Sequence, residues 1–188
     1  RQEGDVEANN NATNIIVCVN DNGTIKNYGF GYNTIGQLGV GNTVNQTLPV
    51  EITQLRNKRI ISVSSWNSIT MVVTDGGEVW GAGYNPHGTL GLGTAVSPVQ
   101  TMSRAKINAT TDVTGAVDVK IAWRNGVGIT AIVLLQDGSV LASGTGDGGI
   151  LGDGNTAGHQ STFFRPVLTF PGNVPLTGIT KIGAQYST

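Results

Sequence analysis

The sequence has little cysteine, little charge and no long apolar run, and each shortage excludes a class of protein. Cys18 is the only cysteine in 188 residues, so no internal disulfide framework is possible. Charged residues make up 12% of the chain, and 11 Lys+Arg against 12 Asp+Glu leave a net charge of −1. A protein that binds nucleic acid by charge needs a dense cationic face. The longest apolar runs reach only about five residues, far short of a membrane span. We therefore expect no nucleic-acid partner and no membrane insertion.

What the chain does contain favours short strands. It has 28 glycines, about twice the usual share, and 38% apolar residues, enough for a packed core. Glycine is unfavourable inside helices and suits tight turns between strands. Cys18 lies in an apolar run over residues 15–19, which predicts a small buried side chain. A reactive thiol is the alternative, but no paired histidine is in sight to activate it.

A glycine pattern occurs three times without gaps. In each copy a glycine is followed five positions later by Gly-x-Leu-Gly-x-Gly. The copies, called here the first, second and third glycine loops, are residues 31–41, 83–93 and 144–154. Self-similarity at intervals of roughly 50 to 60 residues predicts a repeat architecture.

The segments around each glycine loop repeat as well. Turn residues between two apolar runs favour a hairpin before each loop, because they tolerate positive φ. A Pro-Val pair after each loop predicts an outer strand that begins there, since proline is confined to sheet edges or strand starts. The turns are Asn22-Gly23, Asp75-Gly76-Gly77 and Asp137-Gly138, and the prolines are Pro49, Pro98 and Pro166. A fourth strand, leading into the next hairpin, is predicted at 60–65, 117–123 and 179–183.

Four short strands cannot bury both faces of their sheet alone, so the sheets must stack. Stacking around an axis predicts an all-β fold of β-propeller blades, each of four antiparallel strands. A β-solenoid is the alternative, although its repeats are usually shorter. The predicted units are residues 15–58, 59–116 and 117–178. Residues 179–188 begin a further repeat, and 1–14 form a polar linker or the end of a preceding blade.

Residues 28–41 and 80–91 resemble the repeat of the regulator of chromosome condensation family, since both contain Gly-Tyr-Asn followed by Gly-x-Leu-Gly. The resemblance implies a seven-bladed propeller. The third copy departs from the pattern, because Gly146 stands where the others have Asn33 and Asn85. The family's usual histidine after the inner strand is also missing. Three repeats do not close a ring. We therefore expect a piece of a longer propeller, or a subunit of an assembly that supplies the remaining blades.

The chemical motifs of the chain have simpler explanations in the repeat. The segment 144–149 matches Gly-x-Gly-x-x-Gly, but the residues after it cannot start the helix that a dinucleotide site needs. Asp147, Asp153 and Asn155 favour turn chemistry over a cation site, because the calcium-loop spacing is absent. His87 and His159 lie in different copies without a metal-ligand spacing and are predicted to be surface histidines. No catalytic residue, cofactor or metal is predicted.

The candidate contact residues lie in the first two glycine loops. Asn residues there are expected to bond their own loop backbone. Tyr beside Gly and Asn is typical of adaptable binding loops. The candidates are Tyr32, Asn33, Tyr84, Asn85 and His87. Packing between blades, rather than a ligand surface, is predicted for Trp66, Trp80 and Trp123.

These observations favour a non-enzymatic structural or adhesive module. Repeats similar to these occur in bacterial surface proteins and in bacteriophage tail and fibre proteins, so the resemblance implies a virion or extracellular surface location. Its partners would be proteins of a larger assembly, or a cell-surface glycan or receptor. The alternative is a cytoplasmic or nuclear guanine-nucleotide exchange factor, the activity for which the family is named. No exchange residue can be carried over position by position.

Overall fold

The structure is a computed structural model that describes residues 14–66, 68–124, 128–155, 158–184 and 186–187. Within these ranges none of the helices is long and apolar enough to cross a membrane. Short 3-10 turns occur at Thr53–Leu55 and Asp147–Gly149. The strands are β1 Asn14–Asp21, β2 Thr24–Gly31, β3 Gln46–Glu51, β4 Ile60–Trp66, β5 Ile69–Thr74, β6 Val79–Gly83, β7 Val99–Arg104, β8 Ala116–Arg124, β9 Gly128–Leu135, β10 Val140–Thr145, β11 Gln160–Pro166 and β12 Tyr186–Ser187.

These strands form three sheets, called here the first, second and third blades. The strand orders are β1-β2-β3, β4-β5-β6-β7 and β11-β10-β9-β8-β12. Neighbouring strands are antiparallel, except that β12 runs parallel to β8. In each blade the first long strand in the chain lies toward one side, and the last long strand forms the opposite edge. These last strands are β3, β7 and β11. The predicted all-β arc of propeller blades is confirmed, and the antiparallel pairing excludes the parallel solenoid.

Turn chemistry sets the register of the hairpins. Asn22 and Gly23 have φ of +50° and +89°, which the tight turn between two twisted strands requires. Asp21 consequently pairs directly with Thr24. The register then continues along the whole hairpin and brings the end of β2 to the start of the first glycine loop.

The Pro-Val pairs do not all begin an outer strand, so that prediction is wrong in two of its cases. Pro49 lies inside β3 and Pro166 ends β11, and only Pro98 directly precedes its strand. Each of these three strands, β3, β7 and β11, forms an edge of its sheet among the described residues. Because the outward edge of such a strand makes no ladder bonds, a proline is tolerated at those positions whose N–H would point to that edge.

The two ends of the chain differ from the sequence expectation. Residues 179–183 form no strand; Ile179 and Ile182 instead pack against Leu134 and Val140 of the third blade. Asn14, assigned to the linker, begins β1, and its amide donates to Thr70 Oγ1 of the second blade at 2.9 Å. Residues 1–13 of the predicted linker lie outside the described residues.

Apolar layers hold the blades face to face. The layer between the first and second blades contains Ile52, Leu55 and Val72, all fully buried. The layer between the second and third blades is larger and includes Met71 and Phe164. Burying one such side chain contributes about 1.5–3 kcal/mol. These layers therefore set how each blade sits on the next.

Side chains of the inner strands add polar and aromatic contacts between the second and third blades. The Ser62 hydroxyl donates to Asp118 at 2.6 Å, and the Ile121 N–H donates to Ser64 Oγ at 3.1 Å. Trp66 and Trp123 stack with centroids 4.6 Å apart. Inter-blade packing of these two tryptophans is confirmed. Trp80 packs against the layer between the first and second blades.

Cys18 is exposed, so the prediction of a buried side chain is wrong. Its neighbours Val17 and Val19 are also 37% and 42% exposed. An apolar run shows that a strand forms, but burial depends on whether another sheet covers it. No described sheet covers this end of β1.

Candidate interaction loops at one end of the blades

The three glycine loops follow β2, β6 and β10 and share a turn at the glycine that begins Gly-x-Leu-Gly-x-Gly in each copy. These turn glycines are Gly36, Gly88 and Gly149, and their φ angles are +75°, +72° and +78°. In each case the N–H of that glycine donates to the carbonyl three residues earlier, at 2.9, 3.1 and 3.1 Å. A side chain would strain this left-handed conformation. The repeated glycines therefore encode the same turn three times.

The first two loops dock on the outer strand of the following blade. A Cβ at Gly36 would lie 2.8 Å from Gln100 Cα, and one at Gly88 would lie 2.8 Å from Thr162 Cα. The last glycine of each loop donates its N–H to the carbonyl of that same residue, at 2.8 and 2.7 Å. Only glycine permits this approach. The docking fixes each loop to the blade that follows.

Asn33 holds the first loop closed from inside. Its side chain is fully buried, and its Oδ1 accepts the Leu38 N–H at 2.9 Å. Its amide donates to the carbonyls of Asn42 and Val44, at 2.9 and 3.1 Å. One side chain thus joins both halves of the loop, and the bonding to loop backbone expected from the sequence is confirmed.

Asn85 does the same in the second loop. Its Oδ1 accepts the Leu90 N–H at 3.0 Å, and its amide donates to the carbonyls of Thr94 and Val96, at 2.9 and 3.3 Å. It too is fully buried. Asn33 and Asn85 therefore lie beneath the surface, where they position the candidate contact residues.

Above each buried asparagine the surface carries a tyrosine and a valine. Tyr32 and Tyr84 are each 38% exposed, and Val44 and Val96 are 65% and 70% exposed. The pairs Tyr32/Val44 and Tyr84/Val96 are called here the Tyr–Val pairs. Sequence reasoning found the tyrosines and missed the valines. The available clue was their spacing, since both follow the asparagine by 11 residues.

The third loop keeps this turn, but Gly148 adds a φ of +70° and the closing chemistry differs. A Cβ at Gly146 would lie 2.5 Å from the His159 ring, so the imidazole occupies the place of the missing side chain. His159 Nε2 lies 2.6 Å from Asp153 Oδ2, and the Gly146 N–H donates to the His159 carbonyl at 2.7 Å. A histidine–aspartate pair thus replaces the asparagine.

The pKa of Asp153 reflects the hydrogen bonds that its carboxylate accepts within the third loop. Burial alone would raise the pKa of Asp153, but the Asn155 N–H and His159 donate to the carboxylate and hold its pKa below the usual range. The bond from the Asn155 N–H measures 3.1 Å and closes a turn. The predicted turn chemistry of Asp153 and Asn155 is confirmed.

A cleft of about 550 Å³ lies between the second and third loops. His87 and His159, far apart in sequence, both line it. His87 Nδ1 lies 3.2 Å from Gln160 Nε2, and the Tyr84 ring meets His87 edge-on at 6.2 Å. Across the described parts of the chain, no three His, Cys, Asp or Glu side chains gather closely enough to hold a metal ion.

Comparison with known proteins identifies the repeat. Residues 27–73, from β2 through the first glycine loop to β5, match the model of the regulator of chromosome condensation (RCC1) repeat. The ultraviolet-B receptor UVR8 of Arabidopsis thaliana is 30% identical over 132 residues, which cover 69% of this chain. The chain belongs to the RCC1-type β-propeller family. The buried Asn33 and the docked Gly36 are thus parts of its RCC1 repeat.

Other RCC1-type proteins agree with this assignment. The X-linked retinitis pigmentosa GTPase regulator of Canis lupus familiaris is 38% identical over 71 residues, or 38% of this chain and 7% of that protein. The structure of Prp20p from Saccharomyces cerevisiae matches in fold, with a TM-score of 0.61 at 14% identity over 79% of this chain. The chain spans only 27% of UVR8 and 37% of the Prp20p chain.

Proposed function

We propose that this RCC1-type arc is a non-enzymatic binding module that docks a protein partner on its Tyr–Val pairs. The observation that carries the proposal is the repetition of one exposed pair on two loops of identical shape. Tyrosine offers a large contact area with few rotatable bonds. Because each loop is docked on the next blade, the two pairs keep a fixed separation, and a partner meets a surface that needs no ordering on binding.

The chemistry beside the loops supports a non-enzymatic role. His159, the histidine nearest a carboxylate there, is paired with Asp153, and that pair closes the third loop. His87 Nδ1 lies 3.2 Å from the side-chain amide of Gln160. A general base has to reach the proton of a reacting group, and these two imidazoles instead contact loop and strand residues.

We further propose that the partner belongs to a larger assembly in a virion or on an extracellular surface. Support comes from the low charged fraction of 12% and the 28 glycines, which suit a rigid protein that acts by shape. A cell-surface receptor would meet the same loops in the same way.

GTPase regulation is the second candidate. It is favoured by one of the similar proteins, the canine X-linked retinitis pigmentosa GTPase regulator. Such a protein would accelerate nucleotide release from its GTPase, and it would place the chain in the cytoplasm or nucleus.

The test uses the full-length protein purified from its source with its partners cross-linked. A Tyr32→Ala/Tyr84→Ala variant should lose the partner that the wild type retains. Val17→Ala/Val19→Ala, a matched change at exposed positions of β1, should keep it. Retention of the partner by the tyrosine variant would overturn the docking proposal. Nucleotide release from a small GTPase, accelerated by the full-length protein, would favour the second candidate instead.

A further inference from the structure

The end of the blades that carries the Tyr–Val pairs has no Lys, Arg, Asp or Glu in the first two repeats. Residues 27–50 hold the first glycine loop with its Tyr–Val pair, and residues 79–103 hold the second. His87 is the only histidine in these two runs. Charged residues make up 12% of the chain, so at that average each run would carry about three. The low charge of this protein is therefore concentrated in the two loops that carry the pairs.

The hairpin turns at the opposite end of the same blades carry charges, and those charges are paired. Beside the turn of the first blade, Lys26 Nζ lies 3.2 Å from Asp21 Oδ2. Beside the turn of the second blade, Lys58 Nζ lies 2.6 Å from Glu78 Oε2. The two ends of these blades are thus electrostatically different, one ionic and one neutral.

A glycine loop of this kind does not need to be free of charge. The third loop has the same turn glycine, Gly149, and carries Asp147 and Asp153. The Asp153 carboxylate is accommodated by hydrogen bonds, one of them from the Asn155 N–H at 3.1 Å. Folding of the loop therefore does not explain why the first two loops lack charge. The surface above those loops does require an explanation of its own.

Oriented hydroxyl groups flank the second Tyr–Val pair. Thr94 Oγ1 accepts the Val96 N–H at 2.8 Å, and Ser97 Oγ accepts the Asn85 N–H at 3.0 Å. Both Thr94 and Ser97 are exposed. A hydroxyl that accepts an N–H still has its own proton to donate. These two side chains therefore present neutral donors beside Tyr84 and Val96.

Amide groups occupy the matching places in the first loop. Asn42 Oδ1 accepts the Val44 N–H at 2.9 Å, and Asn45 Oδ1 accepts the Asn33 N–H at 2.7 Å. An amide side chain whose oxygen is engaged still has two N–H donors. Both Tyr–Val pairs are thus bordered by neutral hydrogen-bond donors that loop contacts hold in place.

We propose that the partner docked on the Tyr–Val pairs is a protein with an uncharged contact surface, in which carbonyl and hydroxyl acceptors surround apolar side chains. This inference rests on the proposed docking function and specifies its partner. A charged group buried against these loops would lose its water without meeting a counter-charge. A neutral surface instead buries its apolar groups against tyrosine and valine, and its acceptors meet the donors beside them.

The absence of ion pairs gives this association a recognisable signature. Salt screens interactions between charges and leaves apolar burial and neutral hydrogen bonds nearly unchanged at moderate concentration. A partner held by charge would also respond oppositely to an added cation and an added anion. A neutral partner should reject both.

The experiment titrates the full-length protein with the partner recovered by cross-linking to the wild type, at pH 8, where histidine is neutral. Ala95 is exposed between Thr94 and Val96, and it is changed in Ala95→Lys, Ala95→Glu and the neutral Ala95→Gln. Thr53→Lys and Thr53→Glu are the matched controls. Thr53 is exposed in the 3-10 turn that follows β3, away from the glycine loops. Urea unfolding checks that all variants fold.

We expect Ala95→Lys and Ala95→Glu to weaken binding in the same direction, each at least about tenfold, because either charge is buried unpaired. Ala95→Gln should weaken it less, and the Thr53 variants should bind as the wild type does. Wild-type affinity should change less than about twofold between roughly 50 and 500 mM NaCl. Opposite effects of the two Ala95 charges, no effect of either, or a loss of more than about tenfold at high salt would overturn the proposal.

The tyrosine variant separates this inference from the docking function. If Tyr32→Ala/Tyr84→Ala loses the partner while the two Ala95 charges act oppositely, docking stands and only the uncharged partner is overturned. If the tyrosine variant retains the partner, the docking function is overturned, and this inference with it.

Discussion

The second and third glycine loops share the turn at one glycine and have different interiors. The turn glycines of the two loops, Gly88 and Gly149, differ by only a few degrees in φ, at +72° and +78°. Yet Asn85 closes the second loop with three backbone hydrogen bonds, whereas His159 and Asp153 close the third. The glycines thus encode the shape, and the group that closes the loop can be exchanged.

The exchange changes the surface above the loop. Where asparagine closes the loop, the preceding tyrosine stays outside, 38% exposed at Tyr84, beside an exposed valine. Where Gly146 admits the His159 ring, the preceding residue is the buried Thr145, and a polar cleft opens. One repeat unit therefore supplies two kinds of surface, an exposed Tyr–Val pair and a polar cleft.

The largest effect is expected from crowding the docked glycine. Gly88→Ala brings a Cβ to 2.8 Å from Thr162 Cα. Left-handed strain and overpacking should together lower the free energy of unfolding by about 4 kcal/mol. Urea unfolding of the full-length protein measures the change.

Gly41→Ala is the matched control for that crowding. Gly41 has a φ of +90°, so alanine is strained there as well. The nearest atom to the added Cβ, however, would be 3.9 Å away. It should cost only about 1 kcal/mol. Equal costs for Gly41→Ala and Gly88→Ala would mean that docking on the next blade does not hold the loops.

A second, smaller effect is expected from Asn85→Ala. The change leaves the Leu90 N–H and the Thr94 carbonyl without their partners in a buried site. The free energy of unfolding should fall by about 3 kcal/mol.

The control is Asn155→Ala, at an exposed position directly after the third loop. It should change stability by less than about 0.5 kcal/mol. If Asn85→Ala and Asn155→Ala lower the free energy of unfolding equally in denaturant, the buried amide is not what closes the second loop.

The smallest effect concerns acid. The pKa of Asp153 is lowered in the folded state, so its contribution to stability is present above its ordinary value of 3.8 and is lost as pH falls through the folded value. Below about pH 4 the third loop should loosen by less than about 1 kcal/mol, while the second loop, closed by an amide, should not respond.

Amide hydrogen exchange can follow this difference. The readout is the protection of the Gly152 N–H relative to that of the Gly91 N–H, both bonded within their loops at 2.9 Å. Asp153→Asn should make the ratio independent of pH between about 5 and 2. A ratio that already stays constant in the wild type would contradict the role of Asp153.

Local features of this fold were predictable from sequence. The Asn22-Gly23 turn needs positive φ, and those residues supply it, so the first hairpin followed directly. The bonding of Asn33 to its loop was also predictable, because the acceptors Asn42 and Val44 lie close by in the chain.

Features that depend on distant neighbours were not predictable. The exposure of Cys18 depends on which sheet covers β1, and the position of Pro166 in β11 depends on which strand edge is free. The meeting of His87 and His159 requires the stacking of two blades. Gly146 was visible as a departure, but only the fold shows that an imidazole fills its place.

The central claim is that buried asparagines hold the first two loops as rigid platforms for the Tyr–Val pairs. Amide exchange of the Leu90 N–H, which donates to Asn85 Oδ1 at 3.0 Å, tests it most directly in the full-length protein. Leu151 is the equivalent residue in the third loop, where Gly146 offers no side-chain acceptor. We expect the Leu90 N–H to exchange as slowly as the core strands and far more slowly than that of Leu151, and Asn85→Ala to abolish the difference. Equal exchange at Leu90 and Leu151 in the wild type would contradict the claim.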